Sequence, residues 1–169
     1  MIVLAGDGGT YDIGFQCLSS AAERNENFIY ICLDNEGYMN TGAQKSSSTP
    51  HLASTGSSPA GKTSRKKNLT EIMAAHEIPY AATATAGYLP DLVRKVEKAK
   101  AMRGMRLLIL LVPCLDGWGL DDDAGLAADR DRGGVPGDVL AEGPAPAEGA
   151  VGPEGVDMEH GLLRPRRRG

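Results

Sequence analysis

The sequence lacks the features that would place it in several large classes of protein. None of its 169 residues lies in an apolar run longer than six, as at residues 107–112, so no segment can span a membrane. The first residues, MIVLAGDGG, carry no basic region and reach glycine and aspartate after five residues, unlike a signal peptide. Its 18 lysines and arginines are outnumbered by 22 aspartates and glutamates, and the formal charge of −4 argues against a nucleic-acid partner.

Cysteine is also scarce. Cys17, Cys32 and Cys114 are odd in number and far apart, so they do not form a disulfide framework. The length suits one domain with a core of its own. We therefore expect a soluble, cytoplasmic protein with reduced thiols, in which Cys17 and Cys32 belong to the core.

The composition changes near residue 120. Residues 121–169 contain 10 glycines and 5 prolines but no isoleucine and no aromatic residue, a composition typical of disordered segments. Helical periodicity there is weak, around residues 124–130. We expect one α/β domain over residues 1–120 and a disordered tail over residues 121–169. A shifted reading frame in GC-rich DNA and a divergent natural tail are the two explanations of the change.

Residues 1–119 alternate apolar runs with amphipathic stretches. Strands are predicted at residues 2–5, 28–33, 80–86 and 107–112, and helices at 13–24, 69–76 and 89–102. The first helix would bury Ile13, Cys17, Leu18 and Ala21. The last would bury Leu89, Leu92, Val93 and Val96 and expose Arg94, Lys95 and Lys98. This alternation predicts a doubly wound, mostly parallel sheet with helices on both faces.

Glycine and oxygen-bearing side chains follow the predicted strands, where ligands of open α/β sheets bind. Gly6, Gly8 and Gly9 surround Asp7 in the first of these loops, and the second, residues 34–42, offers Asp34, Asn35 and Asn40. Two oxygen-rich loops suit a Mg²⁺ ion that holds a phosphorylated cofactor. Ordinary strand-to-helix turns have a similar composition and stay open as an alternative.

Longer motifs favour the Mg²⁺ site over ordinary strand-to-helix turns. The GDG sequence is followed, 28 residues after Asp7, by Asn35 in a short loop, a pattern that resembles the thiamine-diphosphate motif. The motifs YDIG, DNEGYMNTGAQ-SS-TP and PC-x-x-GWG extend this likeness. Residues 1 to about 120 resemble the beta subunit of pyruvate (2-oxoacid):ferredoxin oxidoreductases.

The resemblance implies roles for particular residues. Asp7 and the Asn35 side chain would bind Mg²⁺, together with the backbone carbonyl of Gly37. The diphosphate of thiamine diphosphate would contact two segments, which comprise Gly6, Asp7, Gly8 and Gly9, then Asn35, Glu36, Gly37, Tyr38, Met39 and Asn40. Asn40 would also lie close to the reacting centre. Cys114 would be a ligand of a 4Fe-4S cluster; a small buried side chain is the alternative for it.

The resemblance also implies an activity. The family decarboxylates a 2-oxoacid such as pyruvate, passes electrons through iron–sulfur clusters to ferredoxin and transfers the acyl group to coenzyme A. Alpha, gamma and delta subunits would be its partners. The glutamate that activates thiamine diphosphate would come from a partner, because Glu36 belongs to the diphosphate loop. We therefore expect no activity from the chain alone.

The chain departs from the family pattern in two respects, so we expect a fragment of the family's subunit. The composition changes after Trp118, and only one strand precedes the GDG motif. The family's beta subunit has a C-x-x-C pair before the GDG motif, whereas this sequence has only Cys114 in a ligand context and a 4Fe-4S cluster needs four ligands. A non-catalytic fragment, a Mg²⁺–phosphate module, a flavodoxin-like interaction domain and another thiamine-dependent enzyme remain alternatives. His51 and Lys62 lie in the long polar loop, where they either line the site or, as is commoner, are solvated.

Overall fold

The computed structural model describes residues 1–133 and contains one four-stranded sheet within that part of the chain. Its strands are β1 (Ile2–Gly6), β2 (Phe28–Asp34), β3 (Tyr80–Thr85) and β4 (Met105–Leu111). All paired strands are parallel, and their order is β1-β2-β4-β3. The four predicted strands are thus confirmed, with bounds that shift by one or two residues.

Helices cover both faces of this sheet. They are α1 (Phe15–Glu23), α2 (Leu69–Ala74), α3 (Leu89–Ala101), α4 (Leu115–Trp118) and α5 (Gly125–Gly133). Leu18 of α1 and Met73 of α2 pack on one face, whereas Ala99 of α3 packs on the other against Tyr80 and Leu108. The doubly wound α/β architecture predicted from the sequence is confirmed. No helix within residues 1–133 is long and apolar enough to cross a membrane.

The first helical segment differs from its prediction. Residues Gly8–Ile13 form a π-helix, in which Gly14 N donates to Gly9 O, five residues back. This wider turn changes the phase of the helix that follows. Ile13 is therefore 78% exposed and Cys17 is exposed, while Leu18 and Ala22 are buried. The prediction that Cys17 lies in the core is wrong, and the same prediction for Cys32 is confirmed.

Helix α3 is rotated relative to its predicted orientation. Leu89 and Val93 were expected inward but are 60% and 55% exposed, and Lys95, expected outward, is buried. Lys95 Nζ donates to Thr83 O at 2.7 Å and pairs with Asp91 Oδ2 at 2.6 Å. Because β3 is an edge strand, its outer carbonyl groups need a donor from outside the sheet, and the lysine supplies one.

The structure continues past residue 120. Helix α5 lies in the segment predicted as a disordered tail, and Asp129 is fully buried there, where its Oδ2 accepts hydrogen bonds from Thr85 and Gly87. Hydrophobic periodicity could not reveal this contact, because α5 is attached through polar groups. The remainder of the predicted tail, residues 134–169, lies outside the described residues.

Candidate functional site

The carboxyl ends of β1 and β2 bring Asp7 and Asn35 together. Asp7 directly follows β1 and is 2% exposed, and Asn35 directly follows β2. With its amide nitrogen turned inward, Asn35 donates to Asp7 Oδ1 at 3.0 Å and to Gly37 O at 2.8 Å. Asp7 and Gly37, the other two residues predicted from the sequence as metal ligands, therefore lie within hydrogen-bond distance of the Asn35 amide.

These distances suit a small cation as well as hydrogen bonds. The two ends of an amide have nearly the same shape, so the Asn35 oxygen fits where its nitrogen lies. Neighbouring ligands of an octahedral Mg²⁺ ion lie about 2.9 Å apart, since each Mg–O distance is 2.0–2.1 Å. One carboxylate, one amide and one carbonyl match the hard oxygen donors that Mg²⁺ prefers. Within residues 1–133 no cluster of three or more His, Cys, Asp or Glu side chains offers a metal site of another kind.

The turn after β2 fixes the orientation of Asn35. Glu36 has a left-handed backbone (φ +67°), and its N–H donates to Asp34 Oδ1 at 3.0 Å. Thr49 Oγ1 donates to Glu36 O at 2.6 Å, and Trp118 Nε1 donates to Asn35 O at 2.9 Å. A side chain that bonds the backbone two residues ahead stabilises such a turn. Hydrogen bonds from two distant segments thus hold the loop in place.

Two serines of the SS-TP part of the family motif, Ser46 and Ser48, contact Asp7 and lie next to the proposed metal ligands. Ser46 Oγ and Ser48 Oγ donate to Asp7 Oδ2 at 2.5 and 2.9 Å, and Ser48 Oγ also lies 2.7 Å from Asp34 Oδ1. Both serines are buried. They lie about 40 residues from Asp7 along the chain. The motif marked this segment as part of the resemblance but did not predict that its serines contact Asp7.

Two lysines of the long loop are also part of the site's surroundings. Lys62, expected to be solvated, is 4% exposed and donates to three backbone carbonyls, which belong to Ser46, Ser47 and Thr49. Lys66 Nζ lies 2.8 Å from Asp34 Oδ2 and 3.4 Å from Glu36 Oε1. His51, the other loop residue considered, is exposed.

The surroundings of Asp7 raise the pKa of its carboxyl group. Burial raises the pKa of Asp7, the serine hydroxyl of Ser46 lowers it in part, and the nearby Asp34 carboxylate raises it further. A carboxylate held in this environment gains much from a bound cation, because the cation supplies the missing positive charge. The arrangement therefore favours coordination of a cation at Asp7.

The glycines of the first loop have two different surroundings. At Gly6 and Gly9 the position of a Cβ atom has no atom within 4 Å, so the backbone there is open to a ligand. At Gly8 a Cβ would overlap the ring of Tyr38, whose hydroxyl donates to Gly8 O at 3.2 Å and to Asp12 Oδ2 at 3.1 Å. Gly8 is thus required by packing, and Tyr38 is a packing residue at the site.

The remaining nominated residues lie around this centre. The Met39 side chain packs against Gly117 of α4, and Asn40 is exposed on the turn that follows. Cys114 is half-buried at the start of α4, where its Sγ accepts a hydrogen bond from Gly117 N at 3.4 Å. A cavity of about 490 Å³ opens next to the site, between Asp34 and the α2 side of the sheet. Its lining comprises Tyr11, Asp34, Glu36, Lys66, Lys67, Asn68, Leu69, Thr70, Thr83, Ala84, Ile109 and Leu111.

A comparison with known protein families identifies the family of this domain. Residues 1–110 match the model of the family described as thiamine pyrophosphate enzyme, C-terminal TPP binding domain. The chain belongs to this family. The resemblance found in the GDG and Asn35 motifs is therefore confirmed, and thiamine pyrophosphate is the same compound as thiamine diphosphate.

Curated relatives of this TPP-binding domain include subunits of two oxidoreductases. Pyruvate synthase subunit PorB of Methanocaldococcus jannaschii is 54% identical over 124 residues, which cover 70% of this chain and 42% of the relative. Ketoisovalerate oxidoreductase subunit VorB of Pyrococcus horikoshii is 47% identical over 131 residues, which cover 75% and 42%. The chain thus spans less than half the length of these relatives.

A solved structure shares the fold. The 2-oxoglutarate:ferredoxin oxidoreductase from Magnetococcus marinus, with 2-oxoglutarate, coenzyme A and succinyl-CoA bound, superposes with a TM-score of 0.65 at 23% identity. The match covers 76% of this chain and 44% of the other. At this identity the likeness establishes the fold of the TPP-binding domain.

Proposed function

We propose that this chain binds thiamine diphosphate through Mg²⁺ at the carboxyl ends of β1 and β2. Asp7 Oδ1, the Asn35 side-chain oxygen and Gly37 O are the protein ligands of the ion. The observation that carries the proposal is the meeting of these three groups at 2.8–3.0 Å around one buried carboxylate. Family membership supplies the identity of the cofactor.

The loops around the ion hold the diphosphate. The open backbone at Gly6 and Gly9 lets phosphate oxygens approach closely, which a Cβ at either position would hinder. Residues 35–40 form the opposite side, and we propose that the exposed Asn40 lies close to the reacting centre. Bound thiamine diphosphate supplies a thiazolium ring that accepts the electron pair released when a 2-oxoacid loses CO₂. The residues of this chain bind and orient that group.

The reaction we propose is the oxidative decarboxylation of a 2-oxoacid to an acyl-coenzyme A, with electrons passed to ferredoxin. The names of the relatives support the substrate class, since pyruvate synthase and ketoisovalerate oxidoreductase both act on 2-oxoacids. Pyruvate is the preferred candidate, because the pyruvate synthase subunit has the higher identity.

This activity requires partners. We propose that the chain works in the cytoplasm with alpha, gamma and delta subunits of one complex, with one partner supplying the glutamate that activates the cofactor. Cys114 is proposed as one ligand of a 4Fe-4S cluster. Cys17 and Cys32, the only other cysteines of the sequence, belong to α1 and β2, so other polypeptide must supply the remaining ligands.

The test is a calorimetric titration of the purified chain with thiamine diphosphate, with and without Mg²⁺. We expect binding that needs Mg²⁺ and that Asp7→Asn abolishes. Asp122→Asn, at an exposed aspartate, is the matched control and should bind like the original chain. Binding that is independent of Mg²⁺, or unchanged in Asp7→Asn, would contradict the proposed site.

Two competing ligands separate the alternatives. A general Mg²⁺–phosphate module would bind inorganic pyrophosphate as well as thiamine diphosphate, and a flavodoxin-like domain would bind flavin mononucleotide. We expect neither to displace thiamine diphosphate at equal concentration. Displacement by either ligand would replace the proposed function with the corresponding alternative.

A further inference from the structure

One oxygen of Asp7 is engaged by serine hydroxyls of the protein itself. Asp7 Oδ2 accepts hydrogen bonds from Ser46 Oγ at 2.5 Å and from Ser48 Oγ at 2.9 Å. The other oxygen, Oδ1, faces the Asn35 amide 3.0 Å away. The carboxylate therefore presents a single oxygen to the place where the three proposed ligands meet.

Ser46 has the larger share in this arrangement. A serine hydroxyl has one proton to donate, and Ser48 Oγ lies close to two carboxylates, 2.9 Å from Asp7 Oδ2 and 2.7 Å from Asp34 Oδ1. Ser48 can therefore serve only one of them at a time. Ser46 Oγ has Asp7 as its only carboxylate neighbour among the described contacts, at 2.5 Å, and it also lies 3.0 Å from Ser48 Oγ. Ser46 can therefore donate to Asp7 Oδ2 while Ser48 donates to Asp34.

Lys62 fixes the position of the serines. Its ammonium group has three protons and three acceptors, namely Ser46 O at 3.1 Å, Ser47 O at 3.1 Å and Thr49 O at 2.6 Å. Its own backbone is held as well, because Lys62 N donates to Ala53 O at 3.0 Å. A buried lysine that uses all its donors on one short segment leaves that segment little freedom to move.

The two oxygens of a carboxylate matter because cations differ in how they use them. Mg²⁺ demands near-ideal octahedral geometry with ligands at 2.0–2.1 Å. Ca²⁺ takes 6–8 ligands at 2.3–2.6 Å and often binds both oxygens of one carboxylate. A carboxylate with one oxygen engaged by serines can still give Mg²⁺ one ligand, but it cannot bind Ca²⁺ through both oxygens.

We propose that Ser46, Ser48 and Lys62 set the cation selectivity of the site by holding Asp7 in a one-oxygen mode that favours Mg²⁺ over Ca²⁺. This inference rests on the proposed function, because it concerns the cation that would hold the diphosphate. Ser46 and Ser48 act as positioning residues on Asp7, and Lys62 positions the serines.

The experiment measures Mg²⁺ and Ca²⁺ affinities of the full chain by competition against Mn²⁺, followed by electron paramagnetic resonance at saturating thiamine diphosphate. The variants are Ser46→Ala and Lys62→Met, and the controls are Ser64→Ala and Lys100→Met at exposed positions. Loss of a group that orients a metal ligand typically costs 10–100-fold in affinity. We expect Ser46→Ala to lose about tenfold in Mg²⁺ affinity and less in Ca²⁺ affinity, so that the ratio of the two constants falls, while the controls keep it.

The ratio of the Mg²⁺ affinity to the Ca²⁺ affinity distinguishes a change in selectivity from a general structural effect. If Mg²⁺ and Ca²⁺ affinities fall equally in a folded Ser46→Ala variant, or stay unchanged, the inference is overturned. Ser46→Ala removes one atom and decides the matter even if Lys62→Met does not fold. If the selectivity inference fails in this way, Asp7-dependent binding in the original chain would still support the proposed function. An original chain that binds neither Mg²⁺ nor Ca²⁺ would overturn both the inference and the proposed function.

Discussion

Adjacent glycines in the first loop provide a test of the packing around the site. In Gly8→Ala the new Cβ overlaps Cε1, Cζ and Cδ1 of Tyr38, so the ring must move and lose its two hydrogen bonds. Overpacking costs about 1–3 kcal/mol and each hydrogen bond about 1 kcal/mol. Removing a helical glycine returns up to about 1 kcal/mol. We expect a net loss of about 2–4 kcal/mol in the free energy of unfolding.

The matched control is Gly9→Ala, in the same π-helix and with no atom within 4 Å of its Cβ position. It should leave stability unchanged or raise it by up to about 1 kcal/mol. For the described 133 residues the unfolding entropy is about 0.3 kcal/mol/K, so each kcal/mol shifts Tm by about 3–4 °C. Calorimetry of the metal-free chain should show Gly8→Ala lower in Tm by about 7–14 °C. Equal Tm values for the two variants would refute the packing argument.

Three further predictions concern charges and thiols. Burial lowers the pKa of Lys66, but the nearby Asp34 carboxylate raises it by more, so the pKa of Lys66 lies above 10.5. The ion pair between Lys66 and Asp34 therefore stabilises the fold below pH 10.5, and this stabilisation is lost as the pH rises through the raised pKa. Denaturant unfolding of Lys66→Met should therefore show about 1–2 kcal/mol less stability at pH 7 and a smaller alkaline decline; an identical alkaline decline would contradict this. Burial raises the pKa of Asp7 above 3.8, and a metal ligand must lose its proton, so Mg²⁺ affinity measured with thiamine diphosphate should fall as the pH falls through this raised pKa; an affinity that does not change with pH would argue against Asp7 as a ligand. A thiol reagent should modify the exposed Cys17 in the native chain but reach Cys32, whose pKa burial raises to about 12, only after unfolding; rapid labelling of both would place β2 outside the core.

The sheet could be predicted from the sequence because its strands are short apolar runs between glycine-rich or acidic turns. The same logic brings Asp7 and Asn35 together, since both follow neighbouring parallel strands and such strands end at one edge. Which side of each helix faces the core was less predictable. The π-helix at Gly8–Ile13 adds residues to a turn, and the exposure of Ile13 follows from it.

The support beneath the site could not be predicted. Ser46 contacts Asp7 from 39 residues away, and Lys62 reaches back 13–16 residues to carbonyl groups of the serine segment. Backbone carbonyls carry no sequence signal, and a lysine between glycine and threonine has the composition of an exposed loop. Lys95 of α3 was misjudged for the same reason, because its acceptor is a backbone carbonyl of β3.

Anomalous diffraction from Mn²⁺ in crystals of this chain grown with thiamine diphosphate would locate the cation and the diphosphate in one experiment. We expect one strong peak within coordination distance of Asp7 Oδ1, the Asn35 side-chain oxygen and Gly37 O, with the diphosphate bound to the same ion beside Gly6 and Gly9. A peak elsewhere on the chain, or a diphosphate bound away from these glycines, would contradict the proposed site.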